Sequence, residues 1–269
     1  MTVRSGVRRG RAGLLTAAAL AGAGLLAAGP AAAADVTRVL PWDGADGLFV
    51  SVPGVVRYVP GPENRVTITG PRQVVEHVAV HRGAILYQPL SWFRGLFWGW
   101  GGQQGEARIV VSIPRLSAAT AGGGARLELG RLNQERLKLH ASGAGRITAA
   151  GAIRELEVSV SGAGGVELEG VQADQIEARM SGAGWLKGSG EARTLRLRAS
   201  GAAMAELGSL RLQDAAARLS GGGGATLAPR RSADIGVSGG AHVRLLSQPP
   251  RLQVRRSGGG SVIGPDGSL

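Results

Sequence analysis

Leu156-Glu-Val-Ser-Val-Ser161-Gly-Ala-Gly164-Gly-Val-Glu-Leu168 carries the pattern that decides the fold: alternating apolar residues, a Ser-Gly-Ala-Gly turn, then a second alternating run. Ser-Gly-x-[Gly/Ala] recurs in register seven times, its serines being Ser142, Ser161, Ser181, Ser200, Ser220, Ser238 and Ser257, at intervals of 19, 20, 19, 20, 18 and 19 residues. A period that regular marks a solenoid.

Counted from the serines, positions −5, −3 and −1 form an alternating apolar set: Leu137, Leu139 and Ala141, then Leu156, Val158 and Val160, then Ile176, Ala178 and Met180, with Leu195, Leu197 and Ala199 and Ala215, Ala217 and Leu219 following. Period two predicts a strand with these side chains on one face. Position +1 is Gly143, Gly162, Gly182, Gly201, Gly221, Gly239 or Gly258. Glycine there permits positive φ and lets neighbouring coils approach closely. Apolar residues at +5, such as Ile147, Val166 and Leu186, predict a second short strand. Two or three short strands per repeat have one economical solution, a single-stranded right-handed parallel β-helix whose coils are about 4.8 Å apart. An antiparallel meander is the rival, but it would not return the same residue to the same corner. A helical reading fails because glycine is too frequent and the apolar spacing is two.

The predicted organisation has four parts. Residues 1–34 read as a cleaved signal peptide: Arg4, Arg8, Arg9 and Arg11 precede an apolar stretch from Leu14 to Ala28, and Ala32-Ala33-Ala34 offers a cleavage site. Arg8-Arg9 raises twin-arginine export, but Gly10-Arg11-Ala12 lacks the hydrophobic pair, so general secretion is expected. A retained anchor is the alternative, although the apolar run is short for a span. Residues 35–106 read as a β-rich cap with initial coils and an aromatic loop at 89–105, residues 107–264 as the regular β-helix of the same domain, and 265–269 as a tail. Terminal segments of this kind cover strand edges that would otherwise aggregate. No transmembrane segment is expected in the mature chain.

Formal net charge is +12, and removing the four signal arginines leaves +8. Only Lys138 and Lys187 are lysines among 31 basic residues, a bias compatible with phosphate recognition or with a GC-rich genome. No compact basic cluster interleaves with aromatics, which argues against nucleic acid. The chain has no cysteine, so disulfides are excluded even in an oxidising compartment.

Candidate chemistry is sparse. Glu157 and Glu177 share position −4 with Arg196, and Glu167 and Glu206 share +6 with Lys187 between them, a mixture expected of a solvated face with cross-coil ion pairs. The serines lack a recurring base, since His140 precedes only Ser142, so they read as corner residues bonding hydroxyl to backbone. His77 and His81 sit on an apparent strand, too far apart to chelate simply. No catalytic, metal or cofactor site is expected. Two surfaces remain. Arg179, Arg198 and Arg218 stack at position −2, unfavourable unless an anion or neighbouring glutamates neutralise them. Trp92, Phe93, Phe97, Trp98 and Trp100 fall in a Gly-rich segment, reading either as a plug over the helix end or as a patch for membrane, glycan or protein.

The run Ile109-Val-Val-Ser-Ile-Pro-Arg-Leu116 followed by Ser-Gly-Ala-Gly units resembles the auto-transporter adhesin family's head GIN domain, as does Phe49 through Val66-Thr-Ile-Thr-Gly-Pro71 to Ile85-Leu86. The resemblance runs from about residue 47 to Ser257-Gly-Gly-Gly260. It implies an exported β-helix of a Gram-negative envelope, periplasmic or at the cell surface, and transfers no catalytic residue. No translocator barrel follows Ser257, so self-export is not expected. The readings are a non-enzymatic scaffold for adhesion or surface interaction, a periplasmic module for lipid or anionic glycan, and a polysaccharide-active enzyme. Envelope glycan, lipid or protein are the expected partner classes, and oligomeric state is left open.

Overall fold

In a computed structural model, which describes residues 35–43, 46–88 and 107–267, the repeats wind into a parallel β-solenoid of about seven turns. Each regular coil is one long strand: β9 (Arg126–Ala141), β10 (Arg146–Gly162), β11 (Gly165–Gly182), β12 (Trp185–Gly201), β13 (Met204–Gly221) and β14 (Gly224–Gly239); labels β1 to β8 are kept for the preceding strands, given below. Successive strands pair in parallel with equivalent residues in register, Leu156 opposite Ile176, Val158 opposite Ala178 and Ser161 opposite Ser181. Two or three short strands per coil were expected. The ladder instead runs on through the middle of each coil, where register shifts between Ala150 and Ala152 and between Leu168 and Val171 absorb the bend. A bulge turns a strand without ending its pairing.

In the regular coils one strand gives way to the next at the Ser-Gly corner. Gly162 and Gly182 have φ +90° and +88°, and a Cβ on either would sit 2.7 Å from the carbonyl oxygen of the equivalent glycine one coil earlier. That carbonyl accepts the next coil's amide, Ala163 N to Gly143 O at 2.8 Å and Ala183 N to Gly162 O at 2.9 Å. Glycine is therefore required by both the backbone angle and the spacing. Gly123, in the degenerate first repeat, makes the same contact to Ala144 at 2.7 Å.

Inward residues stack into one continuous apolar core, and no polar or charged residue is buried among the described residues. Beyond β14 the next coil is split into β15 (His242–Leu245) and β16 (Arg251–Ser257), and β17 (Ser261–Ile263) begins a further coil stacked in parallel on β15.

The amino-terminal segment stacks out of chain order. It comprises β1 (Asp35–Pro41), β2 (Gly47–Ser51), β3 (Gly54–Pro60), β4 (Arg65–Pro71), α1 (Arg72–Val75), β5 (Val78–His81), β6 (Ala84–Tyr87), β7 (Ala107–Ile113) and β8 (Ala118–Ala121). β2 pairs in parallel with both β6 and β8, and β3 with both β7 and β9. The coil built from β2 and β3 is thus sandwiched between β6–β7 and β8–β9. Antiparallel strands then cover the terminal coil: β5 lies on β6, and β4 lies on β7 with β1 outside it. A short, largely exposed edge strand that ends in proline, such as β1, blunts end-to-end pairing. Asp43 fastens the cap by accepting the backbone N–H groups of Arg82 and Gly83.

Candidate functional site

Alternation on the strand preceding each corner sends positions −5, −3 and −1 inward and positions −4, −2 and 0 outward. The arginine column and the corner serines therefore share one outer face. They border an open groove of about 660 Å³ running across the coils from His140 and Ser159 to Arg255 and Ser257. Its floor is the slightly exposed edge of position −1, Met180, Ala199 and Leu219, and the serines form its rim. The arginine column and the corner serines of the repeat meet here.

Acids neutralise the column unevenly. Arg179 holds Glu157 Oε1 of the preceding coil and Glu177 Oε1 of its own, both at 2.7 Å. Arg218 leans the other way, lying over Gly236 of the following coil, where a Cβ would be 2.7 Å from Arg218 Cδ. It donates to Asp234 Oδ2 at 2.5 Å and to Asp234 O at 2.9 Å. Arg255 takes Asp234 Oδ1 at 3.1 Å. Between them Arg198 reaches only the Glu177 oxygen already held by Arg179, at 3.8 Å, and its side chain is 68% exposed. Exposed pairs of this kind contribute little stability, but they fix where the guanidinium groups point.

Two corner serines make the expected hydroxyl-to-backbone bonds across coils, though long ones. Ser200 Oγ donates to Met180 O and Ser238 Oγ to Leu219 O, each at a long 3.4 Å. The backbone amides make the corner ladder, and the hydroxyls face the groove. The aromatic candidates Trp92, Phe93, Phe97, Trp98 and Trp100 lie outside the described residues. The strands flanking that segment do locate its ends: β6 and β7 stand where other coils pass through the Ser-Gly corner, with Val50 opposite both Ile85 and Ala121, and Val55 opposite both Arg108 and Arg126.

Of the acids weighed as catalytic candidates, Glu157, Glu177 and Glu206 sit in ion pairs. Glu157 meets Lys138 at 3.7 Å as well as Arg179, and Glu206 meets Lys187 at 3.3 Å. His77 Nδ1 lies 2.5 Å from Gln73 O, and its ring is 6.1 Å from that of Tyr87. Among the described residues no group of three His, Cys, Asp or Glu side chains is placed to hold a metal ion.

Two features were not singled out from the sequence. Trp185 lies over Gly165 of the preceding coil, where a Cβ would be 2.2 Å from the indole; the Gly-under-Trp pairing at position +4 was the available signal. Asp214 accepts from Arg231 and from Ser232 Oγ at 2.6 Å. The hydrogen bonds from Arg231, then Ser232, hold its carboxyl down at about 2, and that from Arg218 lowers Asp234. A depressed carboxylate stabilises the fold above its unfolded value of about 4, and the contribution is lost as pH falls through the folded value. Melting temperature should therefore decline from about pH 4 toward 2, and Asp214→Asn should flatten that decline. A wild-type melting temperature constant over this window would show these pairs to be unformed.

The chain belongs to the family described as "Putative auto-transporter adhesin, head GIN domain", which matches residues 46–171 and, overlapping them, 153–249. No curated protein matches. Among solved structures, a "Putative lipid binding protein" from Parabacteroides distasonis ATCC 8503 aligns with TM-score 0.73 at 14% identity, over 86% of this chain and 96% of its own. A "putative adhesin" from the same organism gives 0.73 at 16%, over 87% and 98%. A further "putative adhesin", from Parabacteroides merdae ATCC 43184, gives 0.70 at 15%, over 86% and 95%. These likenesses are of fold. No helix among the described residues is long and apolar enough to cross a membrane.

Proposed function

We propose that the chain is an exported, non-catalytic β-helix scaffold of a Gram-negative envelope that presents its outer faces for adhesion or for binding envelope molecules. The observation that carries this reading is the groove along the Ser-Gly corner, where consecutive coils present Arg179, Arg198 and Arg218 beside the corner serines over a thin apolar floor. Ion-paired acids support the absence of catalysis, because a glycosidase needs one carboxyl free as an acid and a second as base or nucleophile. The purified protein should co-sediment with isolated envelope material, less at high salt, and should turn over no glycan or ester. Reproducible cleavage of a polyuronate, abolished by changing Glu157 and Glu177, would overturn the reading.

A second reading, lipid contact, is favoured by the five aromatics that the sequence gathers between Trp92 and Trp100 and by the name of one neighbour. Trp92, Phe97 and Trp98 changed together to Ser should then abolish vesicle association and leave the melting temperature unchanged. A large fall in melting temperature would instead support a plug over the helix end, and an unchanged protein would sink both roles for the segment.

A further inference from the structure

We infer that the groove beside the Ser-Gly corner binds a linear acidic glycan lying along the rod axis, one sugar to a coil, its carboxylates meeting Arg198 and the arginines on either side. This rests on the binding-scaffold reading above and names the ligand class.

Charge is the first argument. On the two outer columns of this face, positions −4 and −2, Lys138 and five arginines stand against Glu157, Glu177 and Asp234 alone. The excess is concentrated rather than spread. Arg179 is drawn toward the amino-terminal coil by Glu157, and Arg218 toward the carboxy-terminal coil by Asp234. Arg198 is left between them, exposed and sharing an already occupied carboxylate oxygen. A guanidinium in that position offers its planar fork to a carboxylate from outside.

Shape is the second. A repeat of about 4.8 Å per coil is close to the advance of one pyranose ring in an extended glycan, so a linear polymer meets equivalent groups coil after coil. The arginine stems that line the groove, beside the barely exposed edges of Met180, Ala199 and Leu219, offer apolar surface to the C–H face of a sugar ring. Ser181, Ser200 and Ser220 place one hydroxyl per coil on the rim, within reach of sugar hydroxyls. An acyl chain would find no enclosure, because the groove is open along its length and the helix interior is filled by side chains.

The test uses the purified chain with galacturonate oligomers of one to eight residues, polygalacturonate, neutral dextran and phosphatidylglycerol vesicles. Affinity should rise with oligomer length to about five sugars, the coils from Arg179 to Arg255, and then level off. Raising salt should weaken binding, and dextran should not bind. Arg198→Gln should weaken polygalacturonate binding at least tenfold. Arg193→Gln, an equal loss of charge at an exposed arginine outside the groove, should weaken it less than twofold. Equal losses in the two variants would mean bulk charge attraction and overturn the inference. So would vesicle binding that is stronger than polygalacturonate binding and indifferent to Arg198. Envelope binding that persists without polygalacturonate binding overturns the ligand class and leaves the scaffold intact; loss of both overturns both.

Discussion

Gly182→Val is expected to destabilise the rod by about 2–4 kcal/mol, read as a fall in the denaturant midpoint. Two costs combine at this residue. Its φ of +88° lies where an L side chain is strained, and any Cβ would meet Gly162 O at 2.7 Å. That oxygen cannot withdraw, since it accepts Ala183 N at 2.9 Å and its coil is paired on both sides. Two other glycines separate the costs. Gly170 has φ +58° but open space around a Cβ, so Gly170→Ala should show the strain alone, about 1 kcal/mol. Gly222 has neither restriction and occupies the corner position that is Ala144, Ala163, Ala183 or Ala202 in other coils. Gly222→Ala should be neutral or stabilising by up to about 1 kcal/mol, through the unfolded chain. Equal effects at all three sites would refute the corner geometry.

That prediction rests on a part of the fold that could be read from the chain. A repeated coil stacks on its nearest neighbours, so its register is written in each period, and Ser161 opposite Ser181 follows from the spacing alone. The stacking order of the first coils was not legible. Val50 pairs with Ile85 on one side and Ala121 on the other, a choice made between segments far apart in the chain with no periodic signal between them. The candidate site was half legible. The Arg179, Arg198 and Arg218 column could be counted, and so could the serines, but the groove depends on how the guanidinium groups lean. That is decided by Gly236, which lets Arg218 lie flat, and by Asp234, which holds it there. Neither residue stands out in the sequence, because each matters only through the coil beside it.

The same neighbour dependence makes Leu207→Ala the second large effect. Leu207 is 1% exposed, and its Cδ2 fills the space above Gly188 of the preceding coil, where a Cβ would be only 2.7 Å away. Deleting the side chain leaves a void at the bulge where the pairing of the two coils shifts between Lys187 and Ser189, so the cost should be about 2–5 kcal/mol. Because each coil touches only its neighbours, amide exchange should speed first in the coils around residues 185–224 and later in the capped amino-terminal end. The pairing of the two positions yields a sharper test. Gly188→Ala alone should destabilise, since its new methyl presses on Leu207, whereas the same change in the Leu207→Ala background should stabilise by refilling part of the void. A double-mutant cycle reads this as a reversal of sign between coupled neighbours. Additive effects would mean that Leu207 does not occupy the Gly188 slot and that the interior packs in another register.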